Sequence, residues 1–445
     1  MLSTICHYLE MDNWRRNNDL QLISVRINVA AFPLVQGEKL NGLEENMENF
    51  TEHNSIPVWG EYDVIVVGGG VAGVSAALAA KRNGCKTLLV EKSVMLGGLA
   101  TLGLIAIYLP LCDGKGRKVI GGIAEELLHL AIKYGYDNLP PEWKKGCTKA
   151  QTKRRYMTIF SPAEFVIALD EVMQQEGVDL LFDTVFSRPV MDNGTCLGII
   201  LENKSGRIAY RGKMIVDTTG DADIMYRAGA DCTESLNWLS YWAYTTSLAQ
   251  MQKAVETANI TAGIHLQWFG GEADGKHAIQ GARKYYGTNA HEVTEFILKG
   301  RELLKSNLDK AKAKQRAYIT LPGMPQFRTT RRINGFYVLQ ETDINTHFED
   351  SIGTTGDWRK AGPVMEIPYR SLIAPGIANI ITAGRTIAAA GDAWEITRVI
   401  PPAAMTGEAA GTAAALAVQK NCSLEDLPVT DLQHALEQAG VLIHF

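Results

Sequence analysis

The chain has 445 residues, 46% hydrophobic and 21% charged, the balance of a globular protein too long for one simple core. Its formal net charge of −5 excludes a general electrostatic pull toward nucleic acid or an anionic membrane, and no run of about 18 apolar residues offers a transmembrane helix. Met1 to Leu20 carries Glu10, Asp12, Arg15 and Arg16 where a signal peptide needs an apolar core, so a cytoplasmic protein is expected.

In chain order, residues 1–60 read as an extension. It is polar from Asn13 to Asn18 and acidic and amide-rich from Glu38 to Asn54, with an apolar stretch from Leu22 to Val35 able to add a strand or dock on the body. Asp63 to Val67 is a β-branched run suited to a buried parallel strand. Gly68, Gly70 and Gly73 follow at G-x-G-x-x-G spacing. The first allows a tight turn, the second lets backbone approach a pyrophosphate, and the third lets the next helix pack close. That helix runs from Val74 to Arg82 and ends at Asn83-Gly84. The N–H groups ahead of it, around Val71 and Ala72, suit an anion. Lys86 to Val90 is a second buried strand finishing on Glu91, eighteen positions after Gly73, where a carboxylate accepts from ribose hydroxyls. A lone glycine motif is weak, but strand, helix and acid together make a dinucleotide site.

Further on, a helix is expected from Ile123 to Tyr134, and another, opened by Ser161, Pro162 and Glu164, to about Gln175. Short strands at Leu180–Phe182, Cys196–Leu201 and Arg207–Tyr210, separated by turn residues, predict a meander, and Met214–Thr218 another buried strand. Helical patterns at about Tyr241–Ala258 and Glu292–Lys314 dominate the next stretch. Ile377–Ala383 reads as a strand and Gly407–Gln419 as an alanine-rich helix whose small residues permit close approach to a ligand or to the first helix.

The segments "KSVMLGGLAT", "IVDTTGDAD" and "NIITAGRTIAAAGDAWEITRVIPPAAMTGEAAGTAAALA" frame "DGKGRKVIGGIAEEL", "FRTTRRINGFYVLQETDI", "FEDSIG" and "EIPYRSLI". In content and order they resemble the FAD-dependent oxidoreductase family that includes the flavin-carrying component of heterodisulfide reductase. The resemblance covers most of Ile56 to Val418 and implies FAD rather than NAD. It implies an α/β, Rossmann-like fold of the glutathione-reductase type, a parallel sheet with a β-meander, carrying a mainly helical inserted substrate domain. The FAD-binding domain would be discontinuous (61–101, 157–228 and 363–425), with insertions at 102–156 and 229–362 and a C-terminal segment at 426–445. By the same resemblance Lys92, Gly97, Gly98, Thr101, Asp217, Gly220, Gly384, Arg385 and Gly407 join the cofactor site, with Arg385 placed to neutralise pyrophosphate. The helix start at about Ala404–Gly407 would lie beside the flavin ring.

Substrate chemistry falls to arginines, whose planar guanidinium binds a carboxylate or polarises a carbonyl. Arg398, in the family's R-V-x-P motif, comes first, then Arg331 and Arg332; His347 is a weaker proton-donor candidate. Relatives often carry a histidine in "S-A-T-H-E-A" where this chain has "AAAGDAWEIT", which leaves Asp392 or Glu395 as substitutes. Seven cysteines without a C-x-x-C pair offer neither an iron–sulfur cluster nor a dithiol relay, and no metal site is expected. A second G-x-G-x-x-G at a strand–helix boundary is lacking, so electrons would pass to or from the substrate and an external partner such as NAD(P)H or a ferredoxin. The expected function is hydride transfer between flavin N5 and a small organic substrate; the alternative is a flavin electron-transfer component of a multi-protein complex. A tRNA-modifying role is disfavoured by the charge balance.

Overall fold

A computed structural model describes residues 52–144 and 155–445, together with a two-residue strand at Leu22–Ile23. Most of the expected N-terminal extension lies outside the described residues; Leu22–Ile23 pairs antiparallel with Ile56–Pro57, adding the strand that its apolar composition allows.

The core is a sheet whose central strand β1 (Ile56–Val67) is followed by helix α1 (Val71–Arg82) and strand β2 (Thr87–Val90). Strand β3 (Asp179–Leu181) extends it, and β4 (Val185–Asp192), β5 (Thr195–Asn203) and β6 (Gly206–Asp217) form a meander. The expected first meander strand, Leu180–Phe182, lies instead in the parallel part as β3, β4 takes its place, and the expected strands Arg207–Tyr210 and Met214–Thr218 run together as β6. The sheet runs β3-β2-β1-β6-β5-β4, with β7 (Ile380–Thr382) beside β6. The strands β3, β2, β1, β6 and β7 are mutually parallel. Strand β6 therefore has two roles. Its first half closes the antiparallel meander, and its last residues, Ile215 to Asp217, are clamped between β1 and β7. That geometry explains why Val64 to Val67 are uniformly apolar and buried, whereas β4 at the sheet edge is mostly half-exposed.

The long helix α2 (Ile400–Lys420) lies against α1 on one face of this sheet. Both helices are rich in alanine and glycine, and the packing needs it. A Cβ at Gly407 would overlap the Ala72 carbonyl, and one at Gly411 the Ala76 carbonyl. Gly407, expected at the cofactor, is thus a helix–helix contact. Helix α2 begins at Ile400, with Pro401 and Pro402 in its first turn, not at Ala404–Gly407. Its positive end lies earlier in the chain than expected, and Pro401 and Pro402 bring no N–H to it.

The segment 229–362 departs from the mainly helical expectation. Ser240–Ser247 is a strand between His265–Gly270 and Arg316–Thr320 in an antiparallel sheet, and the helix starts only at Leu248. The sequence "SYWAYTTS" is aromatic and β-branched, which favours a pleated surface, and Ser247 caps the helix by accepting from Gln250 N at 3.2 Å. The second helix spans Ala290–Lys305 and stops short of the expected Lys314, with Asn289 as its cap. The helix Pro162–Glu176 begins at Ser161 as expected, although the serine hydroxyl makes no cap bond, and ends on left-handed Gly177.

Helix α2 reaches the 102–156 insertion through one buried acid. Glu408, 2% exposed, accepts from Ile123 N at 2.7 Å at the start of helix Ile123–Ala131. Burial pushes its carboxyl up to about 8, against the opposing pull of the Ile123 amide. A raised carboxyl pKa means that the folded chain holds a proton the unfolded chain has lost, so this stabilisation is full in acid and disappears as pH rises through about 8. We predict that Glu408→Gln, which keeps an acceptor for Ile123, removes a slope of up to about 1.4 kcal/mol per pH unit between about pH 5 and 8. Thermal denaturation over that range should show the wild type losing ground to the variant as pH rises; parallel curves would contradict the assignment.

Candidate cofactor and substrate site

The turn between β1 and α1 forms a cradle open to one side. Gly68 has a positive φ of 105°, and a Cβ there would overlap the Thr218 carbonyl at the end of β6. Gly73 packs onto Gly68 in the same way and faces no cavity. Gly70 is different: a Cβ there meets nothing within 4 Å, because its Cα borders the cleft. The third side is the loop after β2, where Gly97 bridges to Gly70 and Gly97 N donates to Gly69 O at 2.8 Å. Glu91, at the end of β2, accepts from Gly69 N at 2.6 Å and Ser93 N at 2.7 Å. These bonds fix its carboxylate at the cleft wall; the remaining lone pairs suit ribose hydroxyls.

The cleft has a volume of about 450 Å³ and is lined by Gly68, Gly70, Val71, Ala72, Glu91, Lys92, Gly97, Gly98, Gly220, Gly384, Arg385 and Arg398. These expected residues come from four separate stretches of chain. Four others do not reach it, Gly73 being the one already described. Thr101 donates to Leu96 O and Gly98 O, holding the loop from behind. Asp217 is fully buried beneath the cleft, accepting from Thr219 N and Oγ1 and from Ile224 and Met225 N. Burial raises its carboxyl to about 6. Its task is to shape the Thr218–Asp221 turn. Gly407 belongs to the helix contact already described.

Arg385 lines the cleft, but its guanidinium is engaged within the protein. It donates to Gly220 O, to Phe327 O at 2.7 Å and to Asp221 Oδ1 at 2.8 Å. Its charge is therefore largely matched by Asp221, and its main effect is to tie the Gly384 turn to the Gly220 turn.

Of the three candidate catalytic arginines only Arg398 borders the cleft, where Nε and Nη2 hold Glu395 Oε2 at 3.1 and 2.5 Å. Arg331 is buried on the far side of the Asp221 turn. It donates to Asp221 O at 2.8 Å and Asp223 Oδ1 at 2.7 Å and stacks on Tyr226. Arg332 donates to Ile333 O and Asn334 Oδ1, and burial lowers its pKa. Both are engaged within the protein, and neither lines the cleft. His347 contacts Glu366, away from the cleft, and Asp392 is paired with Arg359 at 2.7 Å, which depresses its carboxyl. Residues that the sequence reading missed include Phe186 at the start of the meander and Met324 and Pro325 of "LPGMPQ". The Pro-Gly turn at Pro322-Gly323 was the available signal.

A second cavity, about 700 Å³, adjoins the first and shares Leu102 and Gly323 with it. Its lining is chiefly apolar, including Leu104, Ile264, Ile319 and Leu321, with Tyr136, Tyr244 and Glu164 as polar groups. Gly323 N donates to Leu102 O at 2.8 Å, so the partition is one hydrogen-bonded strip of backbone. Burial pushes the Tyr244 and Tyr136 hydroxyls up from the usual phenol range, and the two hydroxyls are paired with each other. Both remain neutral at physiological pH, and the pair keeps one hydroxyl proton free to donate.

A parallel sheet, a glycine turn leading into a buried helix, an acid at the second strand's end and a cleft closed by a third chain segment define a dinucleotide-binding flavoprotein. Residues 63–285 and 235–436 match the family model described as FAD dependent oxidoreductase, and the chain belongs to that family. FAD is its cofactor, and the open cradle over Gly70 with the fixed Glu91 carboxylate fits it. The chain is similar to the tRNA uridine 5-carboxymethylaminomethyl modification enzyme MnmG, 28% identical over 173 residues in Bacillus subtilis and 32% over 164 in Geotalea uraniireducens. Each match covers 36% of this chain and 24% of the relative, so the likeness spans about a quarter of those proteins. Among solved structures it is similar to a geranylgeranyl bacteriochlorophyll reductase-like protein of Thermoplasma acidophilum, with a TM-score of 0.41, 15% identity and coverage of 86% and 82% of the two chains. It is also similar to p-nitrophenol 4-monooxygenase PnpA of Pseudomonas putida, with a TM-score of 0.46, 13% identity and coverage of 84% and 83%. No helix among the described residues is long and apolar enough to cross a membrane.

Two variants test this geometry. Gly70→Val should fold and melt like the flavin-free wild type yet purify colourless, because its side chain fills only the cradle. Yellow protein with stoichiometric FAD would show that the pyrophosphate lies elsewhere. Arg331→Ala should retain FAD but lose about 1–2 kcal/mol of stability, because the Asp221 carbonyl and the half-exposed Asp223 carboxylate both lose their donor. Denaturant unfolding of the loaded protein measures it.

Proposed function

We propose that this chain is a cytoplasmic dehydrogenase or reductase that moves a hydride between flavin N5 and a small, largely apolar organic substrate held in the tyrosine-lined cavity. The observation that carries this reading is the adjacency of the two cavities across Leu102 and Gly323. A mostly apolar pocket with a few convergent polar groups is the usual form of a small-molecule site.

When bound in the cleft, FAD supplies the two-electron chemistry. The protein's residues do the rest. The Tyr136–Tyr244 pair offers one neutral hydroxyl donor to a carbonyl or hydroxyl while the surrounding aliphatic wall excludes water. Arg398, held in place by Glu395, presents its remaining donors to negative charge that develops at the cleft mouth. The first turn of α2, beginning at Ile400, adds the positive end of a long helix dipole on the same side, although Pro401 and Pro402 carry no N–H and Ala403 N donates to Val399 O. Electrons then exchange with an external donor or acceptor, NAD(P)H or a ferredoxin-type carrier. The tRNA chemistry named for MnmG is not carried over, since the match is confined to about a third of this chain.

Arg398→Lys should keep FAD and melting temperature but slow flavin reduction by about 10²-fold, the loss expected from one preorganised donor whose planar fork lysine cannot copy. Anaerobic stopped-flow absorbance with any competent substrate measures this. A lowered melting temperature with normal reduction would reduce Arg398 to a clamp on Glu395.

A further inference from the structure

Away from both cavities, three side chains from separate stretches converge on one point. Glu366 lies on the strand Val364–Pro368, His347 on the preceding loop, and His444 on the segment 440–445 that packs against strand Ser351–Gly356. His347 Nδ1 is 3.4 Å and His444 Nδ1 3.2 Å from the same atom, Glu366 Oε2. The three atoms all lie within 4.8 Å of one another, and the two imidazole rings are 4.6 Å apart at a 43° tilt.

We propose that His347, Glu366 and His444 form a binding site for a divalent metal ion of zinc type. With zinc–ligand bonds of about 2.0–2.1 Å in a tetrahedron, neighbouring ligand atoms stand about 3.3 Å apart. Two edges of the observed triangle already have that length. The third closes by rotation of the histidines, whose side chains are partly exposed and have room to move.

Charge points the same way. Glu366 is 1% exposed, and its ion pairs among the described residues run only to these two histidines. A neutral imidazole gives a buried carboxylate no countercharge, whereas a divalent cation does. The donor set is also oriented from outside. Phe348 N donates to Glu366 Oε2 at 2.8 Å, which fixes that carboxylate between the two histidines. Two imidazoles and one carboxylate favour zinc over magnesium, which prefers oxygen alone. Three protein ligands leave a fourth position for water. The ion would tie segment 440–445 to the sheet strand that meets α2, where a Cβ on Gly353 would overlap Met405.

The test uses the full FAD-loaded chain, stripped with chelator and titrated calorimetrically with zinc chloride, with magnesium chloride as the comparison. His347→Ala and His444→Ala leave no hole in the core, so folding is preserved and the flavin spectrum confirms it. The expected result is one zinc per wild-type chain, weakened at least 100-fold in each histidine variant, with a zinc-dependent rise in melting temperature only in the wild type. Absence of saturable zinc binding, binding undiminished in both variants, or magnesium binding as tight as zinc would each overturn the proposal.

Discussion

The contact between α1 and α2 is the constraint on which the site depends. Because Gly407 and Gly411 present no side chain to the Ala72 and Ala76 carbonyls, the two helices meet backbone to backbone. That approach seats the first turn of α2 beside the Gly68–Ala72 turn and brings Gly384 and Ala403 to the same cleft. A dinucleotide cradle alone would only bind. With α2 drawn close, the same cleft also carries Arg398 and a helix N-terminus, groups that can respond to charge on a bound flavin.

The second constraint is the end of β6. Its last residues are held between β1 and β7, and Asp217 then turns the chain by taking four hydrogen bonds from the Thr219–Met225 stretch. Arg385 and Arg331 grip that turn from opposite sides through Asp221 and Asp223. Five charged groups are thereby spent on shape. Asp217 is buried with all its hydrogen bonds made, Asp221 and Asp223 are paired with arginines, and the cleft floor is fixed before any ligand arrives.

The parts of this architecture encoded locally are legible in the sequence. The glycine turn, the buried strand before it and Glu91 each occupy one short run with its own pattern, and they stand where the spacing predicts; the meander is legible only in its later strands, since Pro189 interrupts the pattern of Val185–Asp192. Residues whose role is set by distant neighbours are not. Arg331 and Arg398 are chemically alike in sequence, and only the positions of Asp223, Tyr226 and Glu395 separate a buried clamp from a cleft residue. Gly407 could serve a ligand or a helix, and only the placement of α1 decides. Tyr241–Thr246 runs into polar residues with helical spacing and reads as part of their helix; pairing with Leu266–Phe269 on one side makes it a strand. The tyrosine-lined cavity is not legible at all, since its walls come from several distant stretches, among them Met95–Leu104, Tyr134–Tyr136 and Ile319–Gly323.

The central claim is that a small molecule in that cavity exchanges electrons with the flavin directly. The most direct measurement is anaerobic stopped-flow mixing of the FAD-loaded chain, alone, with a panel of apolar alcohols, ketones and unsaturated acids in both redox directions. The account predicts saturable, single-phase bleaching or return of the flavin band with at least one of them, weakened when Leu102 at the partition is enlarged to tryptophan. Flavin that changes redox state only when a protein electron carrier is added, and is indifferent to Leu102→Trp, would contradict it and make the chain an electron-transfer component instead.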